Sequence, residues 1–261
     1  MKLTNLFGFR REPENERSAR HWDFRQTLGP KLTALTGDKA SDMRQYSSPR
    51  HNQLNSSSCV GNSVVKALEI KRIMKYGDPA HVDLSRLAIY YLARELMDPQ
   101  ETLNDKGTFI SLAADALRRF GICTEADWPF DISKITSPPT WRAMRGAYVH
   151  KISAWYKIKS LGLDRVKDVI DALASGYPVV YGTEVGDNWL QYRGKDPLGL
   201  PGDVLGGHAT VLVGWNPSKN IFIGENSWGI AWGIDGFYEL REEVISGDTS
   251  HDFIVIQAPW E

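Results

Sequence analysis

Apolar positions along this chain change their spacing part way through. After Cys59, residues Val60, Val64, Ala67 and Leu68 recur at helical intervals, and Gly77 stands where that helix should stop. A second helical stretch is expected from about Ser85 to Leu96, aligning Leu84, Leu87, Ala88, Tyr91 and Leu92. A third, from about Thr108 to Phe120, brings Ile110, Ala113, Leu117 and Phe120 together and places Gly121 as its C-terminal cap. A fourth uses Val166, Val169, Ile170 and Leu173, followed by Gly176 and Pro178. Beyond it the segments Val179–Val185, His208–Val213, Asn220–Glu225, Gly236–Leu240 and Phe253–Ile256 are short and rich in β-formers. Helices first and strands later predict an α+β protein with two segregated lobes. Residues 9–20 are charged and contain Pro13, so they are expected to form an exposed arm. Residues 21–58 are polar, turn-rich and expected to be irregular. Residues 186–207, rich in Gly, Pro and Asp, predict a long loop ending just before His208, and long loops among strands are commonly functional.

Composition narrows the function classes. The 261 residues suffice for one large domain or two intimate lobes, and 42% hydrophobic content suits a sizeable core. A net charge of −1 and the lack of a basic stripe argue against nucleic acid or an anionic membrane as partner. The two cysteines, Cys59 and Cys123, do not make a disulfide framework. The first twenty residues lack the apolar core of a signal peptide, and no run approaches the ~18 apolar residues of a membrane span. The expected location is therefore the cytoplasm, a virus particle or a secretion assembly. Six scattered histidines, without HExxH or CxxC, give no reason to expect a metal. No phosphate-binding glycine loop is present, and no cofactor is expected.

Three polar residues stand out. Cys59 directly precedes an amphipathic helix, where backbone N–H groups and the helix dipole favour a thiolate. A paired imidazolium adds to that effect, and such cysteines reach pKa values of about 3.5–7.5. A lone cysteine is more often a buried core residue, but the surrounding SSSCVGNS is small and polar. His208 lies in GGHATVLVG, at the start of a strand beside a loop, and alone would read as a satisfied structural histidine. Asn226 lies in GENSWGIAWGIDGFYEL, where Trp228 and Trp232 stand among glycines. Thiol catalysis needs a base near the sulfur and a third group orienting that base, and the order Cys, His, Asn supplies all three.

NSWGIAWGIDGFYEL resembles the segment that carries the catalytic asparagine in the papain family, with Phe237 where tyrosine is usual. GGHATVLVGW resembles that family's histidine strand, and Gln53 precedes Cys59 by the six residues of its oxyanion glutamine. Residues 107–131 resemble the family's glycine segment, the helix behind it and the aromatic turn that follows. GYPVVYGTEVGDNWLQYRG resembles the strand and loop leading to the histidine. The resemblance covers about residues 42–257. His208 follows Cys59 by roughly 150 residues and Asn226 by rather more, close to this family's ~130–150. Ser56 and Val60 depart from the pattern, standing where the family usually has a disulfide-bonded cysteine and an aromatic residue. This points to a divergent bacterial- or virus-type member.

The resemblance implies a papain-like two-lobed fold: a helical lobe at about 42–150 and an antiparallel β lobe at about 151–261, after an arm and linker at 1–41. It implies Cys59 as nucleophile, His208 as base, Asn226 as the orienting residue and Gln53 in the oxyanion hole. Gly107 would bind substrate backbone, Phe109 and Ala209 would line an apolar pocket, and Trp228 would shield the His208–Asn226 bond. The expected partner is a protein or peptide substrate cleaved through a thioester. Residues 1–20 would be free to dock a larger assembly, and no usual pro-domain is expected to restrain the enzyme. Two other readings stay open: a catalytically silent binding or structural module, and a thiol hydrolase of cell-wall peptides or isopeptides. Cys123, by contrast, is expected to be a buried, inert thiol.

Overall fold

A computed structural model describes residues 6–13, 22–28, 40–47, 49–77 and 82–261. The long helix α1, Cys59–Tyr76, begins at the N-cap Ser58 and ends where Gly77 takes φ +85°. A side chain at Gly77 would resist that backbone. Almost the whole of α1 is buried, including Asn62, Ser63, Lys66, Glu69 and Lys71. The expectation of a helix with one apolar face is thus too simple: α1 runs between the lobes and buries its polar face as well. Helix α2, Arg86–Met97, starts at Ser85, whose hydroxyl accepts from Ala88 N–H at 3.2 Å. The two helices meet at Gly61, where a Cβ would lie 2.8 Å from the Arg86 carbonyl oxygen and 2.9 Å from Tyr90 Cβ. Helix α3, Ile110–Arg119, stops before Gly121, which takes φ +75°. Helix α4, Gly162–Ala174, packs on the sheet from the second half of the chain.

That sheet has the described order β1-β3-β8-β4-β5-β6-β7. Its strands are β1 (Trp22–Asp23), β3 (Ala154–Lys157), β4 (Val179–Val185), β5 (Gly206–Asn216), β6 (Ile221–Glu225), β7 (Phe237–Arg241) and β8 (Ser250–Gln257). The pairing is antiparallel except for β1 on β3, and the short β2 (Ser41–Asp42) adds to β5. The fold is α+β. Strand β3 was not expected from the sequence, because four residues show little alternation. It exists because Ala154–Lys157 pairs along Ile254–Gln257 of β8.

The expected exposed arm at 9–20 needs correction over the part described. Phe9 is buried in the main core, and Glu12 is buried beside it. Glu12 N–H donates to Asp252 at 2.9 Å, its carboxylate accepts from Ser111 Oγ at 2.8 Å, and Lys157 bridges Glu12 and Asp252 at 3.2 and 2.9 Å. Charge in this segment is paired with the body of the protein instead of being solvated. Residues 14–20 lie outside the described part. The long loop at 186–207 also differs from expectation: it contains a short helix, Asp187–Leu190, that buries Trp189 completely.

Candidate active site

The four expected catalytic positions converge where the end of the sheet meets the start of α1. His208 sits on β5 opposite Thr183 of β4, and Asn226 directly follows β6. Because β5 and β6 are hydrogen-bonded neighbours, Asn226 comes within reach of His208. The ring Nε2 and Asn226 Oδ1 are 2.7 Å apart. The same Oδ1 accepts from Ser227 N–H at 2.7 Å. An atom already accepting from a backbone N–H must be the amide oxygen, so His208 Nε2 carries the proton in this pair and Nδ1 is left bare.

Aromatic rings wall off this bond. Trp228 lies tilted against the His208 ring with centroids 4.8 Å apart, and Trp189 meets it edge-on at 6.1 Å. Trp189 also stacks on Trp232 at 6.0 Å, and Trp232 Nε1 donates to the Trp189 carbonyl at 2.9 Å. Trp189 is an addition that sequence reasoning missed. Its only signal was an isolated NWLQY in an otherwise Gly- and Asp-rich stretch.

Gln53 is tied to the other side of the same turn. Its N–H donates to the Ser227 carbonyl at 2.7 Å, its Oε1 accepts from Ser227 Oγ at 2.6 Å, and Gly229 N–H donates to the His51 carbonyl at 2.9 Å. These bonds stitch the loop before Cys59 to the turn after Asn226, so both lobes hold one geometry. With Oε1 committed, Nε2 is the end turned away from Ser227. It donates to Ser56 O at 2.7 Å and to the Leu6 carbonyl at 3.2 Å.

Leu6 belongs to a strand-like segment threaded through the cleft. Thr108 N–H donates to Gly8 O at 3.0 Å, Arg10 N–H donates to Thr108 O at 3.1 Å, and Phe9 N–H donates to Gly207 O at 3.1 Å. Phe9 therefore pairs in parallel with Thr108 on one wall while bonding the other. Missing side chains make the room. A Cβ at Gly107 would fall 1.8 Å from Gly8 O, and one at Gly182 would fall 2.1 Å from the Phe9 ring. Gly107 thus lies against the backbone of Gly8. Phe109 is half-buried at the start of α3 with the Arg10 guanidinium 5.5 Å from its ring centroid. Ala209 is buried, with its backbone N–H favouring the Cys59 thiolate.

This occupancy overturns one electrostatic expectation. Cys59 is the first residue of α1, and the N–H groups of Ala209, Gly8 and Val60 favour its thiolate. Burial outweighs them and pushes the thiol up to about 11. Burial likewise pulls His208 down to about 4, against the opposing effects of Asn226 and the Leu6 carbonyl. Among the described residues nothing donates a hydrogen bond to His208 Nδ1. With the segment in place both groups are neutral near pH 7, and the low-pKa cysteine expected from its helix-start position is not what this state holds. Cys123 is a separate matter: it is free and buried beside Leu87, Ala88 and Trp128, with its thiol also pushed up to about 11, first by burial.

This chain is similar to several known proteins. A peptidase C1-like protein of Acanthamoeba polyphaga mimivirus is 29% identical over 210 residues, which cover 77% of this chain and 67% of the viral protein. A cathepsin B-like cysteine proteinase of Caenorhabditis elegans is 35% identical over 85 residues, covering 30% of this chain and 22% of its own length. The crystal structure of xylellain, a cysteine protease from Xylella fastidiosa, superposes with a TM-score of 0.78 at 23% identity, covering 98% of this chain and 97% of xylellain. The family model for papain family cysteine proteases matches residues 38–252, a span that includes Gln53, Cys59, His208 and Asn226. By that match, this chain belongs to the papain family of cysteine proteases.

Proposed function

We propose that the chain hydrolyses peptide bonds through a thioester on Cys59, and that residues 6–12 hold it in a resting state. The observation that carries the peptide reading is the segment in the cleft: an extended backbone pairs with both walls and places a carbonyl on Gln53 Nε2. A cleft built to take extended backbone is built to take a peptide.

With the segment displaced, water returns to the cleft and the burial that kept Cys59 and His208 neutral is relieved. The bare Nδ1 of His208 takes the Cys59 proton, and the Sγ attacks the substrate carbonyl carbon. Negative charge then gathers on the carbonyl oxygen, where Gln53 Nε2 and a backbone N–H at the start of α1 can donate. His208 returns its proton to the amine nitrogen as the C–N bond breaks, leaving a thioester. Water, deprotonated by His208, attacks the thioester carbonyl, and the carboxylic product leaves as Cys59 regains its proton. Asn226 keeps the ring oriented throughout. The niche over Gly182, filled here by Phe9, suits a bulky apolar substrate side chain.

Hydrolysis of a quenched peptide library by the chain carrying Gly8→Ala tests this reading, with Cys59→Ala added as control. Cleavage that depends on Cys59 supports it. A folded, displaced chain that binds peptides and cleaves none supports a silent binding module instead.

A further inference from the structure

Asn226 has one end unexplained. Its Oδ1 serves His208 and Ser227, while its Nδ2 is buried with no partner among the described residues. Buried amide donors seldom stay unsatisfied, because the solvation lost on burial is then not replaced. Beside it lies a cavity of about 10 Å³ lined by His51, Asn62, Ser63, Lys66, Glu225 and Asn226, among others. Two further buried atoms there lack partners, Asn62 Oδ1 and Glu225 Oε1, and both are acceptors. One donor and two acceptors around a space about the size of one water are the requirements for a bound water.

The lining residues connect the two halves of the site. Cys59, Asn62, Ser63, Lys66 and Glu69 share one face of α1, since residues three, four and seven apart on a helix align. Lys66 Nζ pairs with Glu69 at 2.9 Å, donates to the Pro49 carbonyl at 2.5 Å and lies 3.9 Å from Glu225 Oε1. His51 Nε2 contacts Glu69 at 3.0 Å, and Ser47 donates to the other Glu225 oxygen. Glu225 is the last residue of β6, next to Asn226. The nucleophile's helix and the asparagine's strand therefore meet through one paired polar cluster.

We propose that Glu225 and Asn62, braced by Lys66, are positioning residues: through one water in this cavity they anchor Asn226 Nδ2 and so hold the amide that orients His208. The water accepts from Nδ2 and donates to Asn62 Oδ1 and Glu225 Oε1. With Nδ2 anchored, the amide cannot rotate away from His208, and the ring keeps its proton on Nε2 with Nδ1 free for the thiol. This proposal rests on the peptidase reading for its purpose, but its test needs no turnover.

The test is ¹⁵N NMR of the histidine ring nitrogens in the full chain near pH 7, with a crystal structure to show the cavity. Wild type should show His208 in the Nε2–H form alone, with a water on Asn226 Nδ2. Glu225→Met removes the acceptor and should raise the Nδ1–H population about tenfold, the ratio expected for one lost hydrogen bond. Glu225→Gln keeps an acceptor oxygen and should restore the wild-type spectrum. If Glu225→Met fails to fold, Asn62→Leu takes its place with the same expected shift. A folded Glu225→Met or Asn62→Leu protein with an unchanged tautomer, or a dry cavity in the crystal, would overturn the proposal. Neither result would touch the peptidase reading, which the Cys59 control decides separately.

Discussion

Replacing Gly8 with alanine should open the cleft. A Cβ there would lie 1.8 Å from the Ser57 carbonyl oxygen and 2.4 Å from its carbon, both main-chain atoms directly before the catalytic helix. No rotamer relieves such an overlap, so the segment must move. Its grip on the cleft comprises three main-chain bonds and the one from Gln53, at 3.0–3.2 Å. At ~0.5–1.5 kcal/mol each these contribute about 2–6 kcal/mol. Burying the Phe9 ring adds roughly 1.5–3 kcal/mol. Ordering the segment opposes this by about 1–2 kcal/mol per residue. These opposing contributions are of similar size and leave no large margin for the closed state, so an overpacking penalty of about 1–3 kcal/mol should raise the open fraction by roughly 5- to 150-fold. The assay is the rate of Cys59 alkylation at pH 7, followed by mass spectrometry. A Gly8→Ala chain that melts like wild type and labels no faster would show that this segment does not gate the cysteine.

Other outcomes follow from the same geometry. In the Gly8→Ala background, Gln53→Ala should lower kcat by about 10²–10³ with little change in KM; a shift in melting temperature with turnover intact would remove Gln53 from the mechanism. Cys123→Ala should leave Cys59 labelling unchanged, and intact-mass analysis should find Cys123 itself unlabelled; a Cys59–Cys123 bridge in active protein would contradict both assignments. Stability should fall on acidification between about pH 6.5 and 4, as read by denaturant melts. Burial foremost holds His51, His150 and His208 down to about 4, so in that window the unfolded chain binds protons that the folded chain does not. A flat profile there would contradict the burial of these rings.

The sequence exposed the local features and hid those that depend on distant pairings. Helix α1 and its stop were legible from Val60, Val64, Ala67, Leu68 and Gly77, because spacing and a breaker are local signals. The grouping of Cys59, His208 and Asn226 was legible because these residues sit in short, distinctive segments. The segment in the cleft was not: Leu6, Phe7, Gly8 and Phe9 are too few to show a period. Their partners Thr108, Gly182 and Gly207 lie far along the chain. Counting charges in 9–20 suggested solvent exposure, whereas Glu12 is buried because Lys157 and Ser111 meet it. Lys66 and Glu69 were hidden for the same reason. Polar residues on a helix read as a wet face, and only the fold shows that they neutralise each other indoors. Trp189 was lost in a stretch whose glycines and prolines signalled loop.

Once vacated, this cleft should hold a reactive thiolate beside His208 and cleave peptides. The most direct measurement is the pH dependence of Cys59 alkylation in the wild-type chain and in the Gly8→Ala chain, with peptide hydrolysis followed in parallel. At pH 7 wild-type Cys59 should react about 5- to 150-fold more slowly than Cys59 of the opened chain, and its rate should climb as the pH rises towards about 11, where burial has pushed its thiol. The opened chain should react readily at or below pH 7 and hydrolyse peptide over the same pH range. An opened chain whose Cys59 still reacts only in strong alkali, or whose reactive thiolate is matched by no hydrolysis, would contradict this expectation.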